Sequence, residues 1–554
     1  MKHESIHRVI TDLVHNCPEK GIGYVQKNGD INFYTYSKTY ELALRVLDGF
    51  HKQGLGKNDK LIIALDKNEE IIPAFWACFL GGIIPSLMQA PVSFALHNQP
   101  LNKINSAWHI LQQPLVLLSK KTASLADSTI QSWKPLSFED VLSDVPANRI
   151  EQTDLNDPVF IQFSSGSTGQ PKGIVLTNNN ILSNIHDISV TNNINPLTIP
   201  VNWMPLYHDM GLIGFHLTPL YAQCSQYLID TVDFIKNPVI WLDTITKLGV
   251  DVTAGPVFGQ ALTLRYLERR KNNLWDFSSV RCFFNGAEPI SAEIMTRFMD
   301  AMGKYGFKET AMIPCYGMAE ATLAISMRTK IVPPSVISFS RTALYHEQLA
   351  DLCQGENDCI KLVGVGQAMG YNKIRIVNDD GIAVADREVG HIQIRGRNVT
   401  SHFFNPDINR GEVFDGSWLN TGDMGFFFKK ELFITGRAKD LIFVNGQNYY
   451  AHDLEQAIAE EKNELFGKIA CCAVFDEIIG HDKLLLFIVG PQNRKFAQQY
   501  ESVRIFFNKQ FGLQPDEIIP IKSSEMPRTS SGKMQRYKLA ESYQKGVFDD
   551  HLKF

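Results

Sequence analysis

The stretch Val159-Phe160-Ile161-Gln162-Phe163-Ser164-Ser165-Gly166-Ser167-Thr168-Gly169-Gln170-Pro171-Lys172-Gly173 constrains this chain more than any other. It opens as a short apolar run, the pattern of a buried strand. It then breaks into hydroxyl residues and glycines and closes on a lysine. Gly166, Gly169 and Gly173 let the backbone approach an anion with no Cβ in the way. Free N–H groups and the hydroxyls of Ser164, Ser165, Ser167 and Thr168 could wrap a phosphate chain, with Lys172 adding charge. A Walker A loop is excluded, because Gln170-Pro171 stands where Gly-Lys-Ser/Thr would have to follow. Read alone, such a loop also fits a linker, so the rest of the chain must decide.

With 554 residues the chain is too long for one core, and two or more domains are expected. Apolar residues make up 44% and charged residues 20%, as in ordinary soluble globular proteins. A net charge of −5 offers no basic footprint for nucleic acid and no polybasic membrane anchor. Nine scattered cysteines, with no Cys-x-x-Cys, suggest neither a disulfide framework nor a zinc site. That pattern fits a reducing compartment, so a cytoplasmic location is expected. Residues 1 to 16 lack a secretory core and read as an amphipathic helix. The uncharged run from Ile71 to Val92 is broken by Pro73, Gly81-Gly82, Pro85 and Pro91. It reads as helix, turn and buried strand rather than a membrane span.

Along the chain, Asn28-Gly29-Asp30 between two β-rich runs predicts a hairpin. Helical periodicity from Tyr36 to Gln53 and the apolar run Leu61 to Leu65 begin a strand–helix alternation, the pattern of an α/β domain with mostly parallel sheets. Ile174 to Leu176 reads as a strand returning from the glycine loop, with Thr177-Asn178 capping the next helix. Tyr207-His208-Asp209 lies in a Pro-led turn. It fits a substrate gate, though by itself a loop histidine bonded to Asp209 is the favoured reading. Asn285-Gly286-Ala287-Glu288 and Tyr316-Gly317-Met318-Ala319-Glu320 end two further strands, the second expected to lead into a helix. Ligands collect at such strand ends in open α/β sheets. Further on, Thr421-Gly422-Asp423 is a turn centred on an acid. Gly436-Arg437-Ala438-Lys439-Asp440 is a charged link after which the composition restarts. We therefore expect a domain of residues 1–437 and a smaller one of 438–554. Met526 to Arg536 places Lys533 on a loop that, alone, reads as a solvated basic tail.

These motifs, in this order, resemble the adenylate-forming superfamily, and most closely its fatty acyl-AMP ligases. The resemblance runs from about Tyr24 to Leu539. It implies a large α/β N-terminal domain with mostly parallel sheets and a small mobile α+β lid. The segment 331–361 resembles an insertion of the ligase group, thought to restrict domain movement and suppress thioester formation with CoA; a surface loop is the plainer reading. The implied roles follow residue by residue. Ser164 to Gly169 and Lys172 would hold the phosphates of ATP. Gly286, Ala287, Glu288, Tyr316, Gly317 and Met318 would line the adenine pocket. Asp423 would take the ribose, with Arg437 beside it. Glu320, with Thr168, would hold Mg²⁺. His208 would stand by the α-phosphate and acyl carboxylate. Lys439 would be the hinge, and Lys533 would reach in from the mobile domain.

The implied chemistry needs such parts. Two like unit charges about 4 Å apart repel by roughly 1 kcal/mol in water and by about 4 kcal/mol at an effective dielectric near 20. A carboxylate attacking a phosphate therefore needs cations as the site closes. A histidine stands where amino-acid-activating relatives carry an aspartate, which favours a fatty acid, each buried CH₂ contributing about 0.8 kcal/mol. Gly255-Pro256-Val257-Phe258-Gly259 departs from the relatives' usual segment near the acyl pocket. The expected activity is ATP-dependent formation of an acyl-adenylate, for transfer to an acyl carrier protein acting in trans. The rivals are an acyl-CoA synthetase and an inactive paralogue that binds nucleotide or acyl groups. No nucleic acid partner is expected.

Overall fold

Leu61, Ile62 and Ile63 are completely or almost completely buried, and their strand, Lys60–Ala64, pairs in parallel on both sides. Such double-sided burial explains why the run is continuously apolar rather than alternating. Its sheet runs in the order Ile84–Leu87, Lys60–Ala64, Leu115–Leu118, Pro135–Ser137. In the computed structural model all residues are described except 1–2, 92–98, 130–132, 134, 165–171, 268–273, 330, 355–357, 406–409, 445–446, 477–480, 494–496, 512, 530–532 and 552. The Asn68–Gly81 helix is buried from Ile71 onward, carries Pro73 inside, and ends at Gly82 in the left-handed conformation. Among the described residues no helix is long and apolar enough to cross a membrane.

A second sheet joins the Asn28-Gly29-Asp30 hairpin, strands Gly21–Val25 and Ile31–Thr35, to Gln226–Ile229 and Val201–Asn202. A third aligns Val252–Ala254, Cys282–Asn285 and Met312–Gly317 in parallel, so their C-terminal ends share one edge. Met312–Gly317 was expected to lead into a helix. Instead Ala319–Ala321 makes one short turn and Thr322, at φ 67°, sends the chain back as the antiparallel strand Ala324–Met327. Gly317 is required there, since a Cβ would lie 2.0 Å from the Leu323 carbonyl oxygen. Pro158–Ser164 and Lys172–Thr177 pair antiparallel around the glycine loop. Thr177 then caps the Asn178–Thr191 helix in a reciprocal box with Asn180.

The antiparallel strands Lys373–Val377, Gly390–Arg395, Trp418–Phe428 and Glu431–Arg437 form a separate sheet. Beyond it come the Ala451–Glu461 helix and a three-stranded sheet of Ile469–Asp476, His481–Val489 and Glu517–Ile521. The segment 331–361 is not an irregular loop: Val336–Ser340 and Cys359–Val363 pair antiparallel within and beyond it. Phe339 is fully buried, its ring centroid 5.1 Å from Phe426 and 5.5 Å from Phe433. One apolar cluster runs from Phe339 and Tyr345 through Phe426 and Phe433 to Leu454, Ile469 and Ile518. It is continuous across the Arg437 link. Against the expectation from cysteine spacing, Cys353 and Cys359 form a disulfide closing the tip of this segment, while seven other cysteines are free thiols.

Candidate functional site

A cleft of about 1840 Å³ opens where the strand ends of the parallel sheets meet the antiparallel sheet and the residues after 437. It exceeds the roughly 300–1,000 Å³ of a single small-molecule pocket, enough for two substrates. His208, Ala287, Glu288, Tyr316, Gly317, Met318, Glu320, Lys172, Asp423, Arg437, Lys439 and Lys533 all line it. Ser165, Gly166, Ser167, Thr168 and Gly169 lie outside the described residues, as does the side chain of Ser164, whose backbone ends the Pro158–Ser164 strand.

The residues expected on the nucleotide side meet across two sheets. Tyr316 ends a parallel strand, and its phenol donates to Asp423 Oδ2 at 2.6 Å, on the antiparallel sheet. Burial and the neighbouring Asp423 carboxylate push the Tyr316 phenol well above its usual range, so it stays the donor. Arg437 Nε lies 3.4 Å from Asp423 Oδ1. Burial opposes the Arg437 charge, but Asp423, Asp440 and Glu320 together hold its pKa above the ordinary value. Gly286 passes so close to Cys315 that a Cβ would lie 2.7 Å from that carbonyl oxygen. Ala287 takes φ 71°, an unusual conformation for a residue with a side chain. Glu288 accepts from the Phe258 amide at 2.7 Å; burial raises its carboxyl, against the pull of that amide and of Lys533.

Glu320 owes its position to buried amides. Its carbonyl accepts from Thr400 N at 2.8 Å. Asn398 Nδ2 donates to Ala321 O and Ala324 O, Asn184 bonds both the carbonyl and the amide of Ala324, and Thr322 Oγ1 donates to Asn398 O. Burial raises the Glu320 carboxyl, while Lys172 and Arg437 draw it back. Among the described residues no three His, Cys, Asp or Glu side chains converge as a metal site. One carboxylate completed by phosphate oxygens and water is nonetheless how Mg²⁺ is commonly held, so the donor set fits.

His208 pairs with Asp209, as a loop histidine would, and also faces the cleft. Nδ1 lies 2.8 Å from Asp209 Oδ1 and 3.2 Å from the Met210 amide, and the ring still lines the cleft. Gln162 holds this turn by donating to Tyr207 O at 3.1 Å. Burial works to raise the Asp209 carboxyl, but His208 and Lys533 bring it below its usual value. Behind the turn, Ile188, Phe215, Val257, Phe284, Leu323 and Met327 give the cleft an apolar end. Trp203 packs on Gly259, where a Cβ would lie 2.4 Å from the indole. That packing gives the Gly255 to Gly259 segment its second glycine.

Lys533 is not a solvated tail. It lies in the cleft, where burial and Arg437 lower its pKa and where Asp209, Asp423 and Glu288 act to raise it. Its loop is braced locally: Thr529 N donates to Lys533 O at 2.7 Å, and Lys533 N to Thr529 Oγ1 at 2.9 Å. Lys439 is exposed, on the short turn Ala438–Asp440. The structure also brings in residues that spacing did not reveal. Lys103 lines the cleft and is drawn down to about 8 by burial and by Lys538. Arg341, from the 331–361 segment, reaches Asp453 on the far side of the Arg437 link. Only the three-dimensional contact marks these; no local motif does.

The model of a family described as AMP-binding enzyme matches residues 16–404. A putative acyl-CoA synthetase of Caulobacter vibrioides is 28% identical over 551 residues, covering 96% of this chain and 94% of that protein. The medium-chain-fatty-acid–[acyl-carrier-protein] ligase TtuA of Teredinibacter turnerae is 34% identical over 433 residues, covering 74% of this chain and 65% of its own length. A solved structure from studies of fatty acyl-adenylate ligases of E. coli and L. pneumophila superposes with a TM-score of 0.89 at 27% identity, covering 99% of both chains. With its strand-end cleft and a family match over most of its length, this chain belongs to the AMP-binding enzyme family.

Proposed function

We propose that this protein is a fatty acyl-AMP ligase. It joins a fatty acid to the α-phosphate of ATP, releases pyrophosphate, and passes the acyl group to the phosphopantetheine thiol of a carrier protein supplied in trans. The observation that carries this reading is the position of Lys533, in the same cleft as Asp209, Glu288, Asp423 and Arg437. In this reading Tyr316 and Asp423 orient the ribose and base. His208 faces the reacting carboxylate, the apolar end takes the acyl tail, and the Lys533 ammonium offsets the repulsion between the two anions. Mg²⁺, held by Glu320 and phosphate oxygens with Thr168, would neutralise charge on the leaving pyrophosphate. Residues 1–437 form the substrate-binding lobe, residues 438–554 the lid, and Lys439 the hinge.

A second reading, an acyl-CoA synthetase, has the likeness to the Caulobacter protein in its favour. Against it stands the 331–361 segment, which joins the lid through a shared apolar cluster and the Arg341–Asp453 pair. Mass spectrometry of products from a mixed pool of acids with ATP, Mg²⁺ and either CoA or a holo-carrier separates the two. Acyl-adenylate and acyl-carrier with little acyl-CoA is the expected result; abundant acyl-CoA favours the synthetase.

A further inference from the structure

The loop that carries Lys533 leaves through Arg536, and there it is tied in three directions. Arg536 Nε and Nη2 donate to Glu455 Oε1 and Oε2 at 2.7 and 2.6 Å, a two-pronged grip on the Ala451–Glu461 helix. Its Nη1 donates to Asp440 Oδ2 at 2.9 Å, one residue beyond Lys439. Glu455 Oε1 also accepts from Cys471 N at 2.9 Å, and Cys472 Sγ donates to the Arg536 carbonyl at 3.6 Å. The arginine and Glu455 side chains are only 15% and 14% exposed. A planar guanidinium can make these three bonds at once; an ammonium cannot hold the same fork. At the loop's base, Gln535 N donates to Pro527 O at 3.0 Å, so displacement of Arg536 moves both ends of the loop.

We propose that Arg536 is a positioning residue for adenylate formation. By clamping Asp440 and Glu455 together it fixes the Lys533 loop to the connector end of the lid, so that rotation about the connector delivers the ammonium to a set place. The proposal rests on the ligase reading above. A purely structural role predicts something different: loss of the clamp would loosen the whole lid and slow every step that uses it.

The test compares Arg536→Lys and Glu455→Gln with the wild-type full chain. Three quantities are read: ATP–pyrophosphate exchange, transfer from supplied acyl-adenylate to a holo-carrier, and amide hydrogen exchange. A displacement near 1 Å of a reacting group costs about a hundredfold, and a loss of that order in kcat for ATP–pyrophosphate exchange is expected. KM for ATP and the transfer step should be unchanged, with faster amide exchange confined to residues 526–536. Equal loss in both half-reactions, or no loss in either variant, overturns the proposal. If Arg536→Lys does not yield folded protein, Glu455→Gln must show the same split, and wild-type kcat in that variant counts against it. A wild-type chain that forms no adenylate would sink the ligase reading instead. The comparison of loop exchange rates would still decide whether Arg536 tethers the loop.

Discussion

Arg341 grips Asp453 with two hydrogen bonds, of 3.0 and 3.2 Å, across the boundary between the 331–361 segment and the C-terminal lobe. Tyr345 completes the contact by donating to Asp453 Oδ2 at 2.6 Å. Both charged side chains are about nine-tenths buried, at 10% and 8% exposure. Removing one partner of such a pair costs about 3–5 kcal/mol, because the other is left buried and unmatched. Arg341→Ala should therefore loosen the lobe, read as faster tryptic cleavage at Arg437 or Lys439 with the core unchanged. If the segment restrains the lid, acyl-CoA formation should rise in the same variant. Wild-type cleavage rates would show that the apolar cluster alone secures the lobe.

Lys533→Ala should suppress acyl-adenylate formation by about 10²–10³-fold, the usual cost of losing one preorganised charge-stabilising group. ATP binding, measured by calorimetry, should stay close to wild type. The wild-type pH profile gives a second check. Burial and Arg437 lower the Lys533 pKa, so the ammonium loses its proton at a lower pH than an ordinary lysine. The alkaline limb of kcat/KM for adenylation, which reports the free enzyme, should thus fall below the usual lysine range and be absent from transfer of supplied acyl-adenylate. An alkaline limb at the ordinary lysine position would mean that another group sets it.

Tyr316→Phe removes the 2.6 Å bond to Asp423 while keeping the ring. A hydrogen bond to a charged group contributes about 1.5–3 kcal/mol, so KM for ATP should rise by roughly tenfold or more, with a smaller change in kcat. A KM within twofold of wild type would show that Asp423 is positioned by Arg437 and its own strand.

Ala287 occupies φ 71°, where a Cβ costs about 1–2 kcal/mol. Replacement by glycine removes that strain but adds freedom to the unfolded chain, worth about 0.5–1 kcal/mol. Ala287→Gly should therefore leave stability unchanged or raise it by up to about 1.5 kcal/mol, measured by denaturant melts. A loss of stability would mean that the Ala287 methyl makes contacts worth more than the strain.

Much of the fold was legible because its signals are local. The hairpin at Asn28-Gly29-Asp30, the apolar run at Leu61 to Leu65 and the cap at Thr177 each depend on a few adjacent residues. The parallel strands that end at Asn285 and Gly317 could be read from apolar runs closing on small residues. The turn after Tyr316 reads in sequence as entering a helix, whereas the chain reverses into an antiparallel strand. Its reversal hangs on Thr322, a residue with no usual preference for positive φ, held there by Asn398 from 76 positions further on. Arg341, Arg536 and Lys103 were equally invisible, for their partners lie on other elements and no spacing rule links them. The glycine loop reads in sequence as a phosphate cradle; the strands expected on either side of it are present, and residues 165–171 between them lie outside the described residues.

The turn that presents Glu320 is held by asparagine and threonine side chains bonded to backbone, with no ion pair among those supports. Neutral amides do not titrate in the physiological range, and added electrolyte screens them little compared with exposed charges. The acid's mounting is thus indifferent to ionic strength. Any dependence of the enzyme on salt should enter through its charged guests and the gripping of its lid, leaving the seat beneath them unaltered.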